Sequence, residues 1–187
     1  ALLIFDEVQT GAGRTGQLYA YQHYRVEPDI LTSAKGLGGG FPIGAMLTLD
    51  QYAKHLSLGT HGSTYGGNPL ACRVALAVMQ HISQPAVLSG IRQRHSLLME
   101  RLQTLARSTG VFKAVRGLGL LLGLELADSY KGKAKELMLS ALEQGVMLLV
   151  AGPSVIRLAP SLIIPLADIE LGCQRFKQAV ECWQVSQ

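Results

Sequence analysis

Short apolar runs separated by polar or glycine-rich stretches dominate the first third of this chain. They cover residues 2–5, 30–33 and 42–49. Runs of this kind suit parallel strands buried on both faces. Between the first two, residues 16–26 carry Leu18, Tyr19 and Tyr21 and predict a short crossover helix of irregular period. Asn68-Pro69 then marks a helix start, because Asn caps free backbone donors and Pro at the first helical position has no N–H to leave unpaired. Leu70, Val74, Ala77, Val78 and Ile82 give its apolar stripe.

A second helix is expected from about Pro85, where Leu88, Ile91, His95, Leu98, Leu102 and Leu105 recur at intervals of three and four. It ends by Gly110 and serves as a connector between domains. The pattern then changes to strand-like, through Val111, Phe112 and Val115 and on to residues 118–126, with Gly117 and Gly119 marking a bend. Residues 133–144 read as a helix stopped by Gly145. Residues 146–150 and 155–158 read as strands around the turn Ala151-Gly152-Pro153-Ser154, and Ile169, Cys173, Phe176, Val180 and Trp183 stripe a last helix. The fold class is α/β, with one domain over residues 1–84 and a smaller α+β domain over 85–187.

A length of 187 residues with 48% hydrophobic content is enough to bury a core. The net charge of +4 comes from scattered Lys and Arg with no basic run, so nucleic-acid and polybasic membrane roles gain no support. Cys72, Cys173 and Cys182 are odd in number and lack zinc-site spacing, which points to a reducing, cytoplasmic setting. No apolar stretch reaches the roughly 20 residues needed to span a bilayer, and neither secretion nor a membrane anchor is expected.

The chemistry starts with two charged residues that follow apolar runs. Asp6 closes the first, and Lys35, twenty-nine residues later, follows the second just ahead of Gly36-Leu37-Gly38-Gly39-Gly40. Taken singly, one is an ordinary turn former and the other an ordinary surface charge. Together they look like a pyridoxal phosphate site, where an amine must form a Schiff base with the cofactor aldehyde and a carboxylate must keep the pyridinium nitrogen protonated. Both are expected just beyond strand ends, where open α/β sheets place ligands. Burial of Lys35 beside positive charge would lower its pKa and make it nucleophilic.

Further on, Ser63 and Thr64 offer hydroxyls within His61-Gly62-Ser63-Thr64-Tyr65-Gly66-Gly67-Asn68-Pro69, whose glycines let backbone N–H groups approach an anion. Arg157 stands among apolar neighbours in Val155-Ile156-Arg157-Leu158, where a bare guanidinium is costly. It needs a carboxylate, from a substrate or from an internal Glu. Arg14 and Arg116 are read as structural, and His81 and His95 as core or surface residues. No cluster suggests a metal.

The wording around these residues resembles the class III (ornithine and acetylornithine type) aminotransferases. The matching blocks are Leu3-Ile4-Phe5-Asp6-Glu7-Val8-Gln9-Thr10-Gly11, Gly13-Arg14-Thr15-Gly16, Ser33-Ala34-Lys35-Gly36, the segment from His61 to Pro69, Arg116-Gly117-Leu118-Gly119 and Val155-Ile156-Arg157-Leu158. The detail is closest to acetylornithine and succinylornithine transaminases. The resemblance implies a pyridoxal phosphate transferase fold of type I, with residues 1–84 as the second half of the large cofactor domain and 85–187 as the small C-terminal domain.

By the same resemblance, Lys35 is the catalytic lysine, Asp6 meets the ring nitrogen and Gln9 the ring hydroxyl. Ser63 and Thr64 serve the phosphate, with Thr64 reaching the neighbouring subunit's site in a homodimer, and Arg157 grips a substrate carboxylate. The implied reaction moves an amino group from an ornithine-derived donor to 2-oxoglutarate. Ala1 is not an initiator, and the chain opens directly on a cofactor-bearing strand. It therefore reads as the C-terminal part of something longer, without the family's main phosphate-binding turn, stacking aromatic ring and first carboxylate-binding arginine. The rival expectation is a catalytically incomplete remnant that folds and associates but does not turn over substrate.

Overall fold

The computed structural model describes residues 1–186, which form two compact units divided at Ser89/Gly90. In the first unit β1 (Ile4–Asp6) pairs in parallel with β2 (Ile30–Ser33), and β2 pairs antiparallel with β3 (Ala45–Thr48). A single-turn helix α1 (Asp50–Ala53) and the longer α2 (Pro69–Ile82) follow. Asn68 caps α2 through its side-chain oxygen, which accepts from the Ala71 N–H at 2.9 Å.

Three expectations change in this unit. The strands are not buried on both faces: Ile4, Met46 and Leu47 are about half exposed, because nothing among the described residues covers them. The crossover between β1 and β2 contains only a 3₁₀ turn, Ala20–His23, whose first N–H groups bond to a side chain rather than propagating a helix. In α2 the inward residues are Ala71, Ala75 and Ile82, while Leu70 faces solvent. Small residues face inward there because α2 packs against the backbone turn Lys35–Gly38.

The second unit is built from α3 (Pro85–Thr109, which begins just before the division), β4 (Phe112–Leu118), β5 (Leu121–Leu126), α4 (Ala134–Glu143), β6 (Leu149–Val150), β7 (Val155–Leu158) and α5 (Leu166–Val185). Its sheet has the order β4-β5-β7-β6 with every pairing antiparallel. Alternation along β5 sends Leu122, Leu124 and Leu126 inward beside Ile156 of β7. Leu98, Leu102 and Leu105 of α3 and Phe176, Ala179 and Val180 of α5 also belong to the buried core. The Phe112 and Phe176 rings meet at a tilt, with their centroids 6.0 Å apart. Each large side chain buried in this way contributes about 1.5–3 kcal/mol as an upper bound.

The β4–β5 turn depends on a glycine. Gly117 has φ +139, and a Cβ there would run into the Leu121 carbonyl oxygen. Gly145, with φ +76, follows α4 as the sequence predicts. No single helix among the described residues is long and apolar enough to cross a membrane.

Candidate functional site

Asp6 is the last residue of β1 and sits opposite Thr32 in the parallel register. Lys35 follows β2 by two residues, so the parallel pairing brings both to the same, C-terminal end of neighbouring strands. This is the end at which open α/β sheets bind ligands. The Asp6 carboxylate is exposed, and its two oxygens differ. Oδ1 accepts from the Val8 N–H at 3.0 Å and from the Thr32 hydroxyl at 3.1 Å. Oδ2 has no hydrogen-bond partner among the described residues.

Lys35 opens a 3₁₀ turn that runs to Gly38, and its own backbone is left-handed at φ +47, a region few non-glycine residues occupy. The side chain is exposed and makes no ion pair among the described residues. The burial expected of Lys35 is therefore not observed among the described residues. The residues around it, Gly36, Gly39 and Gly40, have no side chains with which to cover it.

The residue that organises this end of the sheet is one that motif reasoning left unassigned. Glu7 is 2% exposed, and its carboxylate accepts from the Thr10 hydroxyl at 2.8 Å, the Ala20 N–H at 2.8 Å and the Tyr21 N–H at 2.7 Å. These bonds offset the cost of a buried charge and fold the segment after β1 back on itself. The available signal was strand alternation: consecutive side chains point to opposite faces, so with Asp6 directed to one side Glu7 must go to the other. The same segment places Ala12 against the lysine turn, where a Cβ at Gly36 would lie 3.0 Å from the Ala12 Cβ. Gln9 lies half-buried in this segment.

Ser63 and Thr64 are exposed on the loop before α2. The Ser63 hydroxyl accepts from the Gly66 N–H at 3.1 Å, and Asn68 ties the loop to its helix by donating to the Tyr65 carbonyl at 2.8 Å. Ser63, Tyr65 and Gly67 line a cleft of about 780 Å³ together with Phe41 and Ile43.

Arg157 belongs to the second unit. It lies on β7 between buried Ile156 and half-buried Leu158, and its Nε is buried with no hydrogen-bond partner. Across the sheet it faces Gly123 of β5, and the next residue of β5 on that face is Glu125. Glu125 is committed elsewhere, to Arg116 at 2.6 Å and Lys113 at 3.2 Å. An internal ion pair to Arg157 is thus absent among the described residues, and the exposed Arg116 pairs with Glu125 instead. Arg157 also lines an apolar cavity of about 390 Å³ with Leu98, Met147, Ile164, Cys173 and Phe176. His95 hydrogen-bonds the Gly119 carbonyl at 2.8 Å. No group of His, Cys, Asp and Glu among the described residues could hold a metal.

Comparison with known proteins adds independent findings. The family described as "Aminotransferase class-III" matches residues 1–180. Acetylornithine aminotransferase of Pseudomonas putida is 59% identical over 180 residues, covering 96% of this chain and 44% of that protein. Succinylornithine transaminase/acetylornithine aminotransferase of Pseudomonas aeruginosa is 56% identical with the same coverage. Among solved structures, N-acetylornithine aminotransferase from Stenotrophomonas maltophilia superposes with a TM-score of 0.91 at 37% identity, over 100% of this chain and 49% of that one. The chain spans about 44% of the length of the curated relatives it matches. Its architecture is that of the type I pyridoxal phosphate transferase fold. From the ordered motifs, the shared fold and these matches, it follows that the chain belongs to the class III aminotransferases.

Proposed function

We propose that this polypeptide serves an enzyme that moves an amino group from acetylornithine or succinylornithine to 2-oxoglutarate, working in the cytoplasm as a homodimer with pyridoxal 5'-phosphate. The observation that carries this reading is the convergence of Asp6 and Lys35 at the C-terminal ends of two adjacent parallel strands. The names of the relatives support the choice of donor.

The residues present fit the cofactor. Asp6 has one carboxylate oxygen without a partner, suited to a ring N–H, and Lys35 has an exposed amine without an ion-pair partner. When bound, the cofactor supplies an aldehyde that takes up the amino group and a ring that accepts electron density. Asp6 holds the ring-nitrogen proton by a charge-assisted hydrogen bond. Gln9 meets the ring hydroxyl, and the hydroxyls of Ser63 and Thr64 bind the phosphate, Thr64 acting in the partner's site. Lys35 anchors the cofactor. As a free amine, its Nζ would take the proton from the amino-bearing carbon of the substrate and deliver it to the carbon of the cofactor's aldehyde group. Arg157 pairs with a substrate carboxylate, a role supported by its buried, unpartnered Nε.

The test is to incubate the protein with pyridoxal phosphate, reduce with borohydride and map the added mass. Label on the Lys35 peptide, absent in Lys35→Ala, together with turnover of acetylornithine and 2-oxoglutarate by the holoenzyme, is the expected result. A folded sample that takes no label at Lys35 overturns the reading. That outcome favours the second reading, a polypeptide that only associates, for which the half-exposed Ile4, Met46 and Leu47 are the supporting observation.

A further inference from the structure

A carboxylate can present either oxygen to a ligand by rotating about its Cβ–Cγ bond. At Asp6 that freedom is removed by two donors that converge on one oxygen. The Val8 N–H belongs to the turn that Asp6 itself begins, so it moves with the residue it holds. The Thr32 hydroxyl comes from the neighbouring strand and supplies an external reference. Thr32 is also fixed along its main chain, where its carbonyl accepts from the Glu7 N–H at 3.0 Å. Its β-branched side chain is stiff at χ1, which suits a residue that must hold a hydroxyl in one place.

We propose that Thr32 is a positioning residue that locks the Asp6 carboxylate through Oδ1 and so aims Oδ2 at the ring nitrogen of the cofactor; this rests on the function proposed above. Thr32 lies three residues before Lys35 on the strand that delivers the lysine. One strand therefore sets both the orientation of the acid and the position of the amine. The Asp6–Lys35 spacing and the carboxylate plane are two outputs of a single β1–β2 register.

The experiment uses the holoenzyme reconstituted with pyridoxal phosphate labelled with ¹⁵N in the ring. Thr32→Val keeps the shape and removes the donor, and Thr32→Ser keeps the donor. In Thr32→Val, cofactor retention falls roughly tenfold, the scale of one hydrogen bond to a charged group. The ring ¹⁵N resonance moves toward its unprotonated position, and Thr32→Ser restores both. In an Asp6→Asn background Thr32→Val has no further effect on either readout, because the pair acts as one unit. A loss of the same size in both backgrounds would show that Thr32 merely stabilises the strand, and an unchanged ¹⁵N resonance in Thr32→Val would likewise overturn the proposal. Wild-type holoenzyme that carries no cofactor on Lys35 sinks the functional reading and this inference with it, whereas a labelled Lys35 with an indifferent Thr32→Val sinks only the inference.

Discussion

Arg116 donates to Glu125 at 2.6 Å across the β4–β5 pair. Lys113 approaches the other carboxylate oxygen at 3.2 Å, so the acidic residue next along the sheet face from Arg157 has both oxygens engaged. The consequence falls on Arg157, whose buried Nε has no hydrogen-bond partner among the described residues and, on the function proposed above, has the capacity to bind an incoming anion.

Removing that capacity is expected to show in substrate binding. Arg157→Ala should raise KM for the carboxylate substrates by about 10- to 100-fold, the range for a hydrogen bond to a charged group, with a smaller change in kcat. Arg157→Lys should recover only part, because a point charge lacks the planar fork. Steady-state kinetics on both variants checks this, and an unchanged KM would remove Arg157 from the substrate site.

Much of this was legible in the sequence. Asn68-Pro69 gave the start of α2, the spacing from Ile91 to Leu105 gave the inner face of α3, and Gly145 gave the end of α4, because caps and helical periodicity are local signals. Asp6 and Lys35 stood out through their position after apolar runs. Tertiary features did not show. Exposure of the first strands depends on what covers them, and the 3₁₀ turn at Ala20–His23 arises because the Glu7 carboxylate takes the Ala20 and Tyr21 N–H groups across a gap in sequence. Glu7 itself was hidden for the same reason: its partners are mostly backbone groups, which carry no residue-type signature.

Gly117 allows a sharp substitution test in the second unit. With φ +139 and the Leu121 carbonyl where a Cβ would go, Gly117→Ala must break the β4–β5 pairing or distort it. A destabilisation of about 3 kcal/mol or more is expected. Urea unfolding followed by circular dichroism measures it, and a loss below about 1 kcal/mol would mean the turn can relax.

Burial pushes the Cys173 thiol up to about 11, with help from nearby Glu170. At pH 8 roughly one molecule in a thousand then carries the thiolate, the species that reacts. Iodoacetamide at that pH should label exposed Cys72 and Cys182 well before Cys173. Mass spectrometry over a time course reads the order directly, and early labelling of Cys173 would contradict its burial.

Arg101 on α3 donates to both Glu170 oxygens on α5, at 2.7 and 2.8 Å, and holds that carboxyl below its usual value of 4.5. Because the folded pKa is the lower one, the stabilisation is fully present above the unfolded value and disappears as pH falls through the folded one. Wild type should therefore exceed Arg101→Ala in Tm by a constant small margin from pH 7 down to about 5, and the margin should shrink below about pH 4. A margin independent of pH down to 3 would show that the pair stabilises only by packing.

The half-exposed Ile4, Met46 and Leu47 have a colloidal consequence. They lie on the two outer strands of a three-stranded sheet, where unpaired backbone groups and apolar side chains occur together. Attraction of that origin is not screened by ions, so adding salt to a stock of this polypeptide should not disperse it. Sedimentation velocity should show a mass distribution that follows protein concentration and does not shift to lower mass as ionic strength rises, making dilution rather than added salt the variable that disperses the molecule in the tube.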